Sequence, residues 1–137
     1  MAVERLSFQP ENLHVRIVNG FRLFSPSMSV APGGRQVFVS GQVSKDINGN
    51  VVGKGDMRAQ IERVGENVRM CLEAAGATLA DLVKTTTYVT DIDEFFKYPE
   101  ERSAIFQALP TSTTVEVRRL SRPEFMVEIK VVALLDS

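Results

Sequence analysis

The sequence predicts an α+β fold: one mixed β-sheet with two helices packed on one of its faces. Three observations lead to it. Apolar and β-branched runs alternate with helical stretches in the order strand–strand–helix–strand–helix–strand–strand. One helical stretch carries a single apolar stripe at spacings of three and four. The last strand is apolar on both of its sides.

The elements follow in order. Residues 1–20 are weakly patterned, and only Leu13, Val15 and Ile17 alternate like a short strand. Residues 22–30 and 36–44 read as strands, with Pro32, Gly33 and Gly34 between them as a hairpin turn. A second turn is expected at Ile47, Asn48, Gly49 and Asn50, because Asn-Gly tolerates positive φ. The first helix is marked by Met57, Ile61, Val64, Val68, Leu72 and Ala75. Asp56 stands at its capping position, and Gly76 lies just past its end, where a left-handed residue closes a helix. Thr78 is placed to cap a short helical turn. Residues 83–90, rich in threonine and valine, read as a strand. Asp91 and Asp93 open a second helical region with Phe95, Phe96, Ile105, Phe106 and Leu109 as its apolar positions. Pro99 predicts a break and restart near Tyr98, and Pro110 ends the region. Residues 113–120 and 125–135 are the last strands, expected to form a hairpin through residues 121–124. A helix between two strands suggests right-handed crossovers and locally parallel pairing, and hairpins at both ends make the sheet mixed.

Residues 1–137 suit a single domain, long enough to bury a core without staples. The formal net charge of −1 gives no basic surplus, so no nucleic-acid partner is expected. Cys71 is the only cysteine, which excludes an intrachain disulfide and fits a reducing compartment. The beginning of the chain lacks a signal-peptide pattern, and no apolar run is long enough to cross a membrane. A cytoplasmic location without a membrane partner is expected.

The last strand also predicts association. Phe125, Val127, Ile129, Val131, Ala133 and Leu135 point to one side. Met126, Val132 and Leu134 point to the other, with Glu128 and Lys130. Two helices cover one face, so a second copy of the chain is expected on the other. The alternative is that the N-terminal residues fold over it.

Glu128 and Lys130 interrupt this apolar strand. A carboxylate in a cleft is a candidate general acid or base. A cross-strand ion pair is the simpler account, with Glu116 and Arg118 on a neighbouring strand as partners. Arg118 and Arg119 straddle both faces, and one of the two is a candidate for a pocket. His14 is the sole histidine, which leaves no two-histidine chemistry or histidine metal site within one chain. Cys71, beside the helix stripe, reads as a packing residue. Ser40, Gly41 and Gln42 end an apolar strand run, and a glycine there lets a ligand or another strand approach the backbone. No phosphate loop, zinc spacing or nucleophile elbow is present.

Several segments taken together resemble the YjgF/RidA family, also labelled the L-PSP endoribonuclease or translation-inhibitor family. They are Val39-Ser40-Gly41-Gln42, Glu73-Ala74-Ala75-Gly76-Ala77, Asp81-Leu82-Val83-Lys84-Thr85-Thr86, Val115-Glu116-Val117 and Val127-Glu128-Ile129. The resemblance runs from about Phe24 to Leu134. It implies a chorismate-mutase-like α+β fold and a homotrimer whose sheets form a central barrel with clefts between subunits. It also implies hydrolysis of 2-imino acids or enamines to keto acids and ammonia, with no metal or organic cofactor. Carried over by position, Glu128 corresponds to the acidic residue that positions or activates water. Gly41, beside Ser40, corresponds to the glycine whose backbone faces the ligand. Ser112 stands where the deaminases carry the arginine that clamps the substrate carboxylate, Thr114 where a cysteine is often found, and Ser27 where a pocket tyrosine is found. Losing a charged hydrogen bond costs about 1.5–3 kcal/mol. The resemblance therefore implies an arginine-lacking branch with an atypical substrate, or one that uses another cation such as Arg118. A non-catalytic metabolite-binding or regulatory trimer is the alternative function, and an endoribonuclease is a third.

Overall fold

The computed structural model describes residues 2–12, 14–15, 17–31 and 33–136. In chain order its strands are β1 (Glu4–Phe8), β2 (Ser27–Ala31), β3 (Arg35–Val43), β4 (Leu82–Val89), β5 (Thr111–Glu116) and β6 (Val127–Leu135). The helices are α1 (Met57–Ala74), α2 (Ile92–Phe95) and α3 (Pro99–Ile105), with a 3₁₀ turn at Leu79–Asp81.

Helix α1 forms where its stripe and end signals place it. The Asp56 carboxylate accepts the Ala59 N–H at 3.1 Å. At the other end Gly76 takes a φ of 81°, and the Ala77 N–H returns to the Leu72 carbonyl at 2.8 Å. Met57, Ile61, Val64, Val68 and Leu72 are buried. They pack on Val39, Val127, Ile129, Val131 and Ala133 of the sheet. Each such side chain contributes about 1.5–3 kcal/mol by leaving water. Two buried polar residues of α1 bind loop backbone. Gln60 donates to Gly53 and Glu124 carbonyls at 3.1 and 2.9 Å and accepts the Met126 N–H at 2.8 Å. Asn67 donates to the Val43 and Lys45 carbonyls at 2.9 and 3.1 Å.

The predicted break in the second helical region is present. Asp91 caps α2, and α3 restarts with Pro99 in its first turn, where a missing N–H costs nothing. Thr78 and Asp81 form the reciprocal cap of the 3₁₀ turn. The turn before α1 is held by Asp46, whose carboxylate accepts the Asn48 and Asn50 N–H groups, both at 2.9 Å.

The main sheet is mixed, in the order β3-β6-β4-β5. β6 is antiparallel to both β3 and β4, while β4 and β5 run parallel and are linked through α2 and α3. Two predicted hairpins are therefore corrected. β5 and β6 are not neighbours, because β6 lies between β3 and β4. A strand apolar on both sides fits that central place. Residues 117–126 return the chain past β4, and the predicted strand at 113–120 stops at Glu116, leaving Arg118 and Arg119 exposed beyond it. Nor does β2 pair with β3. It pairs antiparallel with β1 in a separate two-stranded sheet, a strand that the weak N-terminal pattern did not indicate. The alternation at Leu13, Val15 and Ile17 makes no described strand: Leu13 lies outside the described residues, as does Pro32, and Val15 and Ile17 are exposed.

The helices cover one sheet face. The opposite face carries Phe38, Tyr88, Val115, Glu128, Lys130 and Val132, and Phe38 is 72% exposed there.

Candidate active site

The pairing register assigns each candidate to a face. Ser112 lies opposite buried Thr85 and Thr114 opposite buried Thr87, on the side of the helices. Glu128 lies opposite Tyr88 and Val43, on the uncovered side. Successive strand residues alternate between faces, so within one chain the two groups look away from each other.

On the uncovered side the structure brings Gly41 and Glu128 together. The β3–β6 register shifts between Val39 and Gln42. This bulge takes in Ser40 and Gly41, and bulges commonly re-aim side chains beside sites. A Cβ on Gly41 would stand 2.5 Å from the Glu128 carboxylate oxygen Oε2, nearer than any real contact. The ion pairs expected for Glu128 are absent among the described residues, since its strand neighbours are β3 and β4 rather than β5. Glu116 instead accepts the Ile92 N–H at 3.1 Å, at the start of α2. Ser40 borders a recess with Phe38, Lys84, Thr86 and Lys130.

On the helix side Ser112 and Thr114 line a cavity of about 200 Å³ with Val18, Leu23, Phe24, Phe96, Phe106 and Arg102. Arg102 is 6% exposed. Its guanidinium carbon lies 4.8 Å from the Phe95 ring centre and 4.7 Å from that of Phe96, within cation–π range. Nothing in the motif reading pointed to Arg102. The available signal was its spacing: three before Ile105 and four before Phe106, it falls on the apolar stripe of its helix.

The cavity wall is shaped by the α2–α3 junction. There Glu94 accepts from Tyr98 Oη at 2.9 Å and pairs with Lys97 at 2.8 Å. The Lys97 hydrogen bond, then that of Tyr98, holds the Glu94 carboxyl below its ordinary range. The same contacts push Lys97 and Tyr98 upward, Tyr98 first through its bond to Glu94 and then through burial. At the entry to β5, Leu109 adopts a left-handed φ of 51°, uncommon for a branched side chain. Its carbonyl accepts the hydroxyl of buried Ser25 at 2.5 Å.

Other predicted residues lie elsewhere. Ser27 is exposed at the start of β2, opposite Phe8. Arg118 is exposed beyond β5, and His14 is exposed near the N-terminus. Cys71 is half-buried against the core, as a packing residue would be. No described helix is long and apolar enough to cross a membrane.

Comparison with known proteins agrees with this architecture. The family model described as Endoribonuclease L-PSP matches residues 23–135. A RutC family protein of Pyrococcus abyssi is 39% identical over 101 residues, covering 73% of this chain and 79% of the relative. A 2-iminobutanoate/2-iminopropanoate deaminase of Salmonella typhimurium is 34% identical over 105 residues, covering 74% of this chain and 80% of the relative. Among solved structures, YyfB from Yersinia pestis, a protein of unknown function of the conserved Rid family, superposes with a TM-score of 0.83 at 29% identity. That match covers 96% of this chain and 98% of YyfB. With its mixed sheet, its covering helices and these matches, the chain belongs to the YjgF/RidA family.

Proposed function

We propose that the protein is a hydrolase of small imines, enamines or related metabolites, working in a cleft between subunits of a homotrimer. The observation that carries this reading is the contact between Gly41 and the Glu128 carboxylate on the uncovered sheet face. A side chain at position 41 would occupy the space the carboxylate uses, so the glycine keeps Glu128 beside an accessible strand backbone. In the reaction Glu128 takes a proton from water, which adds to the imine carbon. Return of the proton to nitrogen gives a carbinolamine, and Glu128 then carries the proton of the new hydroxyl to the same nitrogen, so that the C–N bond breaks, ammonia leaves and the carbonyl forms. A deaminase among the relatives is named for 2-iminobutanoate and 2-iminopropanoate, which supports imine chemistry as the starting point.

The trimer is part of the proposal. Ser112 and Thr114 open on the helix side and Glu128 on the other, so a site using all three takes them from two copies. Exposed Phe38 and Val115 on the uncovered face support association there. Because Ser112 replaces the family arginine, the substrate differs from that of the arginine-bearing deaminases. Incubating the protein with imines generated in situ from a panel of amino acids, and following ammonia release, tests the reading. Turnover above the solvent rate that disappears in Glu128→Gln is expected. Ligand binding without ammonia release across the panel would favour a metabolite-binding trimer.

A further inference from the structure

We propose that Lys84 and Lys130 make the recess on the uncovered sheet face a binding site for a phosphate group, and that a bound phosphate favours association of copies across that face. The site lies beyond the reaction proposed above. Only its coupling to assembly rests on the association proposed there.

The register brings the two lysines together. Lys84 lies opposite Val132 and Lys130 opposite Thr86 across the β4–β6 pair, so the lysines are diagonal neighbours. Such positions stand about 7–8 Å apart, within reach of long side chains. Thr85, Thr87, Ile129 and Val131 are buried on the helix side, which turns Lys84, Thr86 and Lys130 to the opposite face. Both lysines are exposed. Neither ammonium makes an ion pair or hydrogen bond among the described residues. They line one recess of about 350 Å³ with Ser40, Thr86, Phe38 and Val132, and no carboxylate lines it among the described residues.

Charge on this face is unbalanced. Along the four strands of the main sheet, the register puts Lys84, Lys130 and Glu128 on the uncovered side, two cations against one anion. The Glu128 carboxylate is turned to Gly41. In a single copy, water solvates the lysines. Once another copy covers the face they lose that water, and a charge buried without a partner is costly. An anion in the recess supplies the partner.

The donors present favour phosphate over a carboxylate. Two separate ammonium groups are point charges with three donors each, whereas a planar carboxylate is matched best by the fork of one arginine. A phosphate monoester carries about −1.5 to −2 charges at pH 7 and three strong acceptor oxygens, enough for both lysines and the hydroxyls of Ser40 and Thr86. The recess holds about twelve water-sized groups, at about 30 Å³ each. Phe38 and Val132 give it an apolar side, so free phosphate and a small phosphate ester both fit.

Titration calorimetry of the intact chain in chloride buffer of fixed ionic strength, with inorganic phosphate and with phenyl phosphate, tests the proposal. Binding is expected, and Lys84→Gln or Lys130→Gln should each weaken it about ten- to a hundredfold, the range of a charged hydrogen bond. Lys54→Gln removes the same charge from the turn before α1 and should leave binding unchanged. Tighter binding of phenyl phosphate identifies an ester as the occupant; equal or weaker binding identifies free phosphate. No binding of either at millimolar concentration overturns the inference, as does undiminished binding in the folded double variant Lys84→Gln/Lys130→Gln. Light scattering on the same samples reads the coupling: phosphate should lower the protein concentration at which copies associate by about tenfold, and the double variant should lose that shift. Association indifferent to phosphate overturns the coupling and leaves the trimer standing. Phosphate binding through the lysines by a chain that never associates overturns the trimer and leaves the site standing. Ammonia release reports on Glu128 by a separate readout.

Discussion

Gly41 and Glu128 share a space that admits only one side chain: a Cβ on Gly41 would lie 2.5 Å from Oε2 and 2.7 Å from Cδ of the carboxylate. The crowded group is the far end of a flexible side chain, so Gly41→Ala should displace the carboxylate rather than unfold the sheet. A misplacement of about 1 Å can cost about a hundredfold in rate. Ammonia release is expected to fall by about ten- to a hundredfold, while the urea-derived stability changes by less than about 1 kcal/mol. Full activity in a folded Gly41→Ala protein would remove Glu128 from the mechanism.

Phe38 bears on the assembly. Its ring is 72% exposed and lies outside the core of the chain, opposite Val132 on β6. Phe38→Asp should leave the monomer fold intact and place a charge in the proposed interface, which costs several kcal/mol when the charge is buried without a partner. Light scattering is expected to show a trimer for the unaltered protein and a monomer for the variant. Circular dichroism should be unchanged.

Gln60 is the polar residue on which the loops flanking the sheet converge. It satisfies the Gly53 and Glu124 carbonyls and the Met126 N–H from the buried face of α1. Gln60→Leu keeps the volume but leaves three backbone groups to find other partners, at about 1–3 kcal/mol for each that does not. A loss of about 2–4 kcal/mol in denaturant unfolding with an unchanged slope is expected. A loss below about 0.5 kcal/mol would mean that water replaces the side chain.

Much of this was legible in the sequence because it is local. The stripe of α1, its Asp56 cap, the glycine after its end and the restart at Pro99 depend on neighbours within a turn or two. What the sequence concealed is long-range. The short link at residues 121–124 suggested a hairpin, yet β6 finds β3 and β4. Its apolar residues on both sides were visible, but they say that the strand is covered, not by which neighbours. β1 was missed because Glu4, Leu6 and Phe8 all lie exposed, so no buried alternation marks it. The site divides in the same way. Ser40, Gly41, Ser112, Thr114 and Glu128 were singled out as candidates through the family motifs, and only the fold shows that Gly41 and Glu128 meet while Ser112 and Thr114 lie on the other face. That Arg102 lines the cavity beside Ser112 and Thr114 was not legible, because the cavity forms only when α3 packs beside β5.

Acidification provides a test at the α2–α3 junction. Glu94 titrates below its ordinary value in the folded chain because Lys97, then Tyr98, favours its charged form. The unfolded chain therefore binds more protons than the folded one as the pH falls through this range. The stability from this carboxylate is present above its unfolded pKa and is lost as the pH drops through the folded one. Between about pH 5 and pH 3, the unaltered protein should lose more stability than Glu94→Gln, and added salt should shrink the difference. Parallel pH profiles for the two proteins would contradict the assignment.

The central place of β6 has a consequence for how the chain becomes a protein. β3 and β4 run in the same direction and never touch as partners; each waits for the strand at residues 127–135 to slide between them. On the ribosome, α1 can form early from its own local signals, but the sheet under it has no middle until nearly all of these residues have emerged. Pairings between strands so distant in sequence close slowly. Until then the apolar side of α1 lacks its cover and β4 has only β5 beside it, and that interval is when a chaperone or a second nascent copy meets them. A nascent chain halted at residue 126 should therefore show no hydrogen-exchange protection in β3 and no more in β4 than its pairing with β5 gives, and one extended past residue 135 should gain protection in both at once.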